Sequence, residues 1–469
     1  MTAPMMTHSA ARSADRIVIA GAHSGVGKTT LATGLMAAFV QRGLRVQGFK
    51  VGPDYIDPTY HALATGRPGR NLDTWMVSPE RVRESFARAA NQVDLNIVEG
   101  VMGVYDGLGY EDETGSTAQV AKLLDAPTIL VLDVGGMARS AGALALGYRQ
   151  FDAALPLAGF IVNRVGGQAH GAGVAHAIQA ATGLPVLGWL PREAALDIPE
   201  RHLGLIPTME PGRWRAFVQA AASHVERHLD LNAILSLARS APPLPPVEPS
   251  LAIAPSLEHR PTVAVARDEA FSFIYEDNLD LLRAAGARIA FFSPLHDTAL
   301  PKGAGGVILS GGFPELYAAQ LAANRDMLAA LRTAHAQGLP IYAECGGLMY
   351  LTEAIVDLDG QTLAMVGLLP GRSVMTGRLT LGYREARAAG DSWLFSAGEG
   401  VRGHEFHYSI WEGYLSDMPR AFYLQSLLSR TSEARPEGAC LGKLWASYVH
   451  LHLSGKPELA ERFVRACRC

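Results

Sequence analysis

The sequence predicts an α/β fold: a doubly wound P-loop domain over residues 1–240, a proline-rich linker over 241–261 and a second α/β domain over 262–469. Three observations carry this. An apolar run at residues 17–20 leads directly into the loop 21–30, GAHSGVGKTT, and then into 31–41, where Leu31, Leu35, Ala38 and Phe39 recur at helical spacing. Continuous apolar strands then alternate with helical segments, the pattern of a parallel sheet covered on both faces. Finally, seven prolines fall between Pro242 and Pro261, which removes helix as an option, and the alternation restarts beyond them.

The first loop has the order strand, glycine turn, helix. Backbone N–H groups can converge there on phosphate oxygens, and the new helix turns its positive end to the same anion. Ser24, Gly25, Gly27, Lys28, Thr29 and Thr30 are therefore the candidate nucleotide ligands, with Lys28 reaching the terminal phosphates and the Thr29 hydroxyl holding Mg2+. The usual pattern puts glycine where this chain has Ala22; Gly21 stands one step earlier, so the loop is a lengthened variant.

Further along, residues 45–51 (RVQGFKV) read as a strand with Lys50 near its tip, placed to pair with phosphate or a substrate carboxylate unless it is an ordinary snorkelling lysine. The loop 52–60, GPDYIDPTY, follows at the carboxyl edge where open α/β sheets carry function. Its Asp54, Tyr55 and Asp57 are candidate substrate residues, although Asp-x-x-Asp before proline is also good turn chemistry. The strand at 95–98 ends at Glu99, the second candidate metal ligand beside Thr29, and Asp106 follows in a glycine-rich stretch. Strands at 127–134 and 159–162 follow; Asn163, at the end of the latter, either reads an adenine edge or serves a turn.

In the second domain, strands are expected at 262–266, 289–292 and 306–309, and a helix at 278–285. The sharpest signal is 339–350, LPIYAECGGLMY, where an apolar strand meets Glu344-Cys345-Gly346-Gly347 and then a helical stretch. That is the layout of a nucleophile elbow with cysteine in place of serine. The helix start is expected to lower the thiol pKa and, with Gly346, to supply oxyanion donors. The pair Gly311-Gly312 after a strand offers another, from Gly312 or Phe313. The segment 445–453, WASYVHLHL, reads as one strand with His450 and His452 on one face, and one of them is the candidate base. His404 and His407 lack a third metal ligand nearby and are given a structural or substrate-contact role. Cys467 and Cys469 are expected in a frayed tail.

Composition narrows the class. Hydrophobic residues make up 48% and charged residues 18%, the balance of a folded globular protein. A formal net charge of −4 gives no reason to expect nucleic acid or an anionic membrane as partner. Four scattered cysteines are no disulfide framework, residues 1–16 hold no continuous apolar core of a signal peptide, and no apolar run approaches a membrane span of about 18 residues. A cytoplasmic protein is the expectation.

Taken together, SGVGKTT (24–30), KVGPDYIDPTYH (50–61), NLDTWM (71–76), VEGVMGVYDG (98–107), SGGFPE (310–315), ECGGLMYL (344–351), GHEFHYS (403–409) and SYVHLH (447–452) resemble, in order, the cobyrinic or hydrogenobyrinic acid a,c-diamide synthases. The resemblance implies an ATP-dependent domain similar to dethiobiotin synthetase, joined to a class I glutamine amidotransferase domain. It implies ATP and Mg2+ as cofactors, and glutamine and a corrinoid carboxylate as substrates; separately, a homodimer is the candidate assembly. Cys345 would attack glutamine, with His450 as base because it falls where relatives have theirs. Many class I amidotransferases place an orienting glutamate two residues later, where this chain has His452, so a Cys–His pair is the expectation. Lys28, Thr29, Lys50 and Glu99 would position ATP, Mg2+ and a carboxylate that becomes an acyl phosphate, and Asp54, Tyr55, Asp57, Glu99 and Asp106 match the most distinctive first-domain motifs. Rival readings are the related cobyric acid synthase, a relative acting on a nickel tetrapyrrole and, in another class, a P-loop switch ATPase with an inactive second domain.

Overall fold

Strands that are apolar at every position need cover on both faces, and the first half of the chain supplies it. The computed structural model describes residues 14–91, 93–193, 196, 200–201, 204–205, 213–247, 260–413, 415–426 and 434–467. Two units emerge: Met1–Thr74 with Val82–Glu248, and Trp75–Arg81 with Pro249–Cys469.

The first unit contains β1 (Arg16–Gly21), β2 (Val46–Val51), β3 (Arg70–Leu72), β4 (Leu95–Glu99), β5 (Thr128–Asp133), β6 (Leu157–Val165) and β7 (Val186–Pro191), plus a small hairpin of β8 (Glu200–Arg201) and β9 (Gly204–Leu205). The first seven form one parallel sheet in the order β3-β2-β4-β1-β5-β6-β7. Its helices are α1 (Lys28–Gln41), α2 (Asp57–Thr65), α3 (Pro79–Ala90), α4 (Thr117–Leu123), α5 (Ser140–Phe151), α6 (Gln168–Thr182), α7 (Arg213–His228) and α8 (Leu231–Arg239). Ile17 and Ile19 pack into one core with α1, α7 and α8, while Val18 and Ala20, facing the other way, are equally buried. This is the doubly wound parallel sheet that continuous apolar strands require.

Pairing of β2 with β4 sets Lys50 opposite Glu99, and pairing of β1 with β4 sets Ile19 opposite Glu99. The carboxyl ends of the three strands therefore bring the glycine loop, Lys50 and Glu99 to one edge. At the opposite edge the buried Arg16 donates to the carbonyls of Leu124 and Pro242, each at 2.6 Å. Residues 241–247 of the expected linker carry no helix or strand; residues 248–259 lie outside the described residues.

The second unit has two sheets. β10 (Thr262–Ala266), β11 (Arg288–Phe292), β12 (Ala304–Leu309) and β13 (Ile341–Glu344) run parallel in the order β11-β10-β12-β13. The other sheet takes β14 (Thr352–Val356), β15 (Thr362–Ala364), β16 (Leu369–Ala388), β17 (Gly400–Glu412), β18 (Phe422–Ser426) and β19 (Arg435–Glu437). β20 (Ala439–Leu441) and β21 (Leu444–Ser447) extend the first sheet beyond β13, and β22 (His450–Leu451) joins the second beside β17. Helices α9 (Glu276–Ala284), α10 (Ala318–Ala323), α11 (Arg325–Ala336), α12 (Gly346–Leu351) and α13 (Glu458–Ala466) complete the unit. Here the expectation of one strand over 445–453 is corrected: the segment leaves one sheet after Ser447 and enters the other at His450. The tail is corrected too, since Cys467 caps α13 and is only partly exposed, while Cys469 lies outside the described residues. Among the described residues no helix is long and apolar enough to cross a membrane.

Candidate active sites

The glycine loop is held open by its backbone. Gly25 (φ 75°) and Gly27 (φ 98°) adopt left-handed conformations, and a Cβ on Gly27 would lie 2.5 Å from the Asn163 amide nitrogen. Gly27 caps α1 without a side-chain bond, so the first N–H groups of a 14-residue helix remain for an anion. The loop is braced from α5 and β6. Tyr148 donates to Ala22 O at 2.6 Å, Asn163 to Val26 O at 2.9 Å, and Arg164 to Gly25 O at 2.9 Å while pairing with Asp133. Lys28 donates to Met102 O at 2.5 Å, and Met102 presents that carbonyl from a left-handed conformation, φ 45°. Burial, together with repulsion from Lys50, brings Lys28 down to about 8. Ser24 and Gly25 are exposed at the tip, while Gly27, Thr30, Asn163, Arg164, Pro191 and His224 line part of a pocket of about 580 Å³. That is room for a nucleotide-sized ligand. Asn163 serves here as a brace at the pocket wall, with its oxygen taking the Arg164 N–H.

Lys50 is buried between two carboxylates, 2.6 Å from Asp57 and 2.9 Å from Glu99. The Thr29 hydroxyl donates to Glu99 at 2.6 Å and lies 3.3 Å from Asp57, and His61 Nε2 donates to the other Glu99 oxygen at 2.6 Å. Asp57 opens α2, so His61 four residues on shares its face. That spacing was the signal by which His61, missed in the sequence, could have been found. Burial opposes the charge on Glu99, but Lys50, His61 and Thr29 outweigh it and hold the carboxyl far below its usual range. Burial likewise opposes the charge on Lys50, and Asp57, Glu99 and Asp54 hold it well above its ordinary value. Asp57 goes the other way, raised by burial and then by Asp54 and Glu99. Asp54 accepts from the N–H groups of Ile56 and Asp57, and Asp106 from Gly103 N at 2.8 Å, so both shape their own loops; Tyr55 is buried beside them.

Among the described residues no three His, Cys, Asp or Glu side chains form a cage for a metal. Magnesium in phosphate sites asks for less: a hydroxyl, one or two carboxylates, and phosphate or water for the rest. Thr29, Asp57 and Glu99 match that donor set. Asp57 Oδ1 is moreover buried without a hydrogen bond, a surplus acceptor that a cation would satisfy.

In the second unit Cys345 stands between β13 and α12 at φ 47°, ψ −105°. A non-glycine residue there costs of order 1–3 kcal/mol and is held only by its surroundings. Its N–H donates to Ser447 O at 2.8 Å and its thiol to Phe406 O at 3.4 Å. Small residues let neighbours close in: a Cβ on Gly346 would lie 3.1 Å from Gly312 N, and one on Gly347 2.3 Å from Leu309 O. Gly312 and Gly346 are thus brought together, whereas the Phe313 N–H is spent on Ala270 O at 3.0 Å.

The expected low thiol pKa is overturned. Burial pushes the Cys345 thiol well up, and the charges of Glu315, Glu344 and Glu405 add to it, against one N–H from Gly346. α12 is only six residues long, too short to outweigh three carboxylates.

His450 is fully buried, its ring 5.0 Å from that of His404, its register partner on β17. A Cβ on Gly311 would come within 2.4 Å of His450 Cε1, so the Gly311-Gly312 turn also seats this ring. His450 Nδ1 lies 3.6 Å from Glu344 Oε2. His452 instead packs on Tyr275 at 4.7 Å, and the Tyr275 hydroxyl bonds His404 Nε2 at 2.9 Å. Burial, then His450, pushes His404 well below its ordinary value, so it stands neutral. His407 stacks on Tyr448 and faces Glu405, which also pairs with Arg384 and Arg435. The two histidines of GHEFHY therefore serve different neighbourhoods and share no metal.

Residues 17–206 match the model of the CobQ/CobB/MinD/ParA nucleotide binding domain, and residues 262–458 that of the CobB/CobQ-like glutamine amidotransferase domain. A cobyrinate a,c-diamide synthase of Dehalococcoides mccartyi is 46% identical over 97% of this chain and 98% of its own. A hydrogenobyrinate a,c-diamide synthase of Streptomyces coelicolor is 43% identical over 99% and 100%. A cobyrinate a,c-diamide synthase of Salmonella typhimurium is 43% identical over 96% and 98%. With a phosphate loop in one unit, a cysteine elbow in the other and such likeness along nearly its whole length, the chain belongs to the cobyrinate and hydrogenobyrinate a,c-diamide synthase family.

Proposed function

We propose that this protein converts the a and c acetate carboxylates of a corrinoid to amides, with ATP as activator and glutamine as nitrogen donor, in cobalamin biosynthesis. The observation that supports it best is that one chain, in the order of its named relatives, carries both a buried Lys50–Asp57–Glu99 cluster beside a phosphate loop and a strained, buried Cys345 whose neighbour in sequence, Glu344, lies 3.6 Å from the buried His450.

In the amidotransferase half, His450 takes the Cys345 proton as sulfur attacks the glutamine carboxamide. The N–H groups of Gly312 and Gly346 face the oxygen that gains charge. Ammonia departs with the proton returned by His450, and water then hydrolyses the thioester to glutamate. Because burial and Glu315 hold the thiol neutral, this proton transfer is the step on which the attack depends.

In the other half, a substrate carboxylate oxygen attacks the γ-phosphorus of ATP, ADP leaves, and ammonia displaces phosphate from the acyl phosphate. A free carboxylate is a poor electrophile, and phosphorylation gives it a leaving group. Lys28 and Lys50 position the phosphate and balance its charge, and Thr29, Asp57 and Glu99 would hold Mg2+, which when bound supplies further charge neutralisation. Domain boundaries near residues 240 and 262 fit this division of labour.

The test is mass spectrometry of the purified protein with ATP, Mg2+ and glutamine, given hydrogenobyrinic acid and cobalt-containing cobyrinic acid in separate reactions. Successive exchange of two OH groups for NH2 is the expected result, and the faster reaction identifies the ring. No mass change in either, with glutamine still hydrolysed, would overturn the substrate assignment.

A further inference from the structure

A histidine that accepts a proton from sulfur works best when a third group fixes its ring and balances the imidazolium. His452, two residues beyond His450, carries no negative charge and is packed on Tyr275. We propose that Glu344, the residue immediately before the nucleophile, is the positioning residue for His450, so that a single strand end delivers both the nucleophile and the partner of its base. This rests on the glutaminase reading above.

The geometry builds from the register. β13 pairs with β21 so that Glu344 lies opposite Ser447, and the chain then crosses to β22, bringing His450 back over the end of β13. The two Glu344 oxygens are divided in their duties. Oε1 accepts from the Tyr342 hydroxyl at 2.6 Å and from the Leu451 N–H at 3.0 Å, so it grips the backbone next to the base. Oε2 is left 3.6 Å from His450 Nδ1. A contact of that length in a resting enzyme tightens to a hydrogen bond with a small ring rotation. With Nδ1 turned to the carboxylate, Nε2 is the nitrogen that would take the thiol proton.

The surroundings favour the pairing. Side-chain exposure is 0% for His450 and 7% for Glu344. Glu344 also borders a cavity of about 30 Å³ lined by Ile274, Leu282 and Ile308 together with the polar Asn278 and Ser310. Burial and the Glu344 charge push the Tyr342 hydroxyl far up, which keeps it a donor. Glu344 from β13 and His404 from β17 press titratable groups against the ring, while Phe273 and Gly311 cover it with carbon.

The experiment compares Glu344→Gln, Glu344→Asp and Cys345→Ala in the full-length protein. Glutaminase kcat, KM and pH profile are read with ATP and corrinoid acid present, alongside amidation driven by ammonium salts. Glutamine at 344 keeps an acceptor for Tyr342 and Leu451 but removes the charge. Expected for Glu344→Gln is a glutaminase kcat lower by roughly a hundredfold to ten-thousandfold. KM should be unchanged and ammonium-driven amidation retained, and the acid limb of the profile should move to lower pH because the imidazolium loses a negative neighbour. Glu344→Asp should recover part of the rate and restore the limb. Wild-type glutaminase kinetics and profile in Glu344→Gln overturn the proposal. So does loss of glutaminase and ammonium-driven activity together with a lowered Tm in both substitutions, which would make Glu344 structural. Glutaminase persisting in Cys345→Ala would instead sink the nucleophile assignment on which the proposal stands.

Discussion

The two sites share a local plan, an apolar strand running into a small-residue turn and a helix start, but they hold charge in opposite ways. In the first unit Lys50, Asp57, Glu99, His61 and Thr29 are already tied together, all but Thr29 buried, and Glu99 is ionised far below its usual range. In the second, the reactive group is kept neutral by burial and by surrounding carboxylates. The phosphoryl transfer proposed for the first site asks little covalent chemistry of a protein and much fixed charge, and a site charged at rest suits it. The thiol attack proposed for the second asks for a nucleophile made on demand, and a site that stores the proton suits it.

Breaking the second side of the contrast should have the largest effect. Cys345→Ala should lower glutamine-dependent amide formation by about a millionfold. Amidation with ammonium should continue, because the phosphate site is untouched. Parallel assays with the two nitrogen sources read this directly.

Glu99→Gln attacks the other side. Both nitrogen sources should then fail, by about a hundredfold to a thousandfold, while glutamine hydrolysis persists. The same substitution leaves Lys50 with Asp57 alone and removes the charge facing His61, so the loss of stability should stay below the about 3–5 kcal/mol of a fully broken buried pair, to be read by urea denaturation.

Glu405 sharpens the comparison through pH. Burial raises its carboxyl, but His407 and Arg435 more than offset this and hold it at about 2 against an ordinary 4.5. A folded-state value below the unfolded one stabilises above the latter and fades below it. The stability advantage of the natural protein over Glu405→Gln should therefore be full at neutral pH and shrink as pH falls from 4.5 toward about 2.

The smallest effect expected is a proton count. Lys28, brought down to about 8 by burial and Lys50, is partly neutral in the free protein at that pH. Bound phosphates favour its charged form, so ATP binding near pH 8 should take up a fraction of a proton. Calorimetry in buffers of different ionisation enthalpy measures it.

What could be read from the chain was whatever depends on neighbours in sequence. The glycine loop, the strand ends at Lys50 and Glu99 and the elbow at Cys345 are local signals, and the structure places each where its strand leads. Partners brought by the fold were not readable. The alternation of WASYVHLHL suits one strand, and only pairing with β13 and β17 divides it between sheets. The thiol pKa was misjudged because its burial, and then the charges of Glu315 and Glu405, come from elements distant in sequence. The brace from Arg164 to Gly25 and Asp133 was invisible for the same reason.

The neutral, 2% exposed thiol of Cys345 has a bearing on how such a protein meets reactive chemicals. Oxidants and small alkylating agents select thiolates within reach. At rest this sulfur offers neither charge nor access, so it is shielded from casual damage. A label shaped as a glutamine analogue has an advantage over a free electrophile of equal reactivity, because binding as the substrate holds its electrophile at the sulfur while the thiol gives up its proton. Covalent probes for this protein are therefore best built on the substrate's own skeleton.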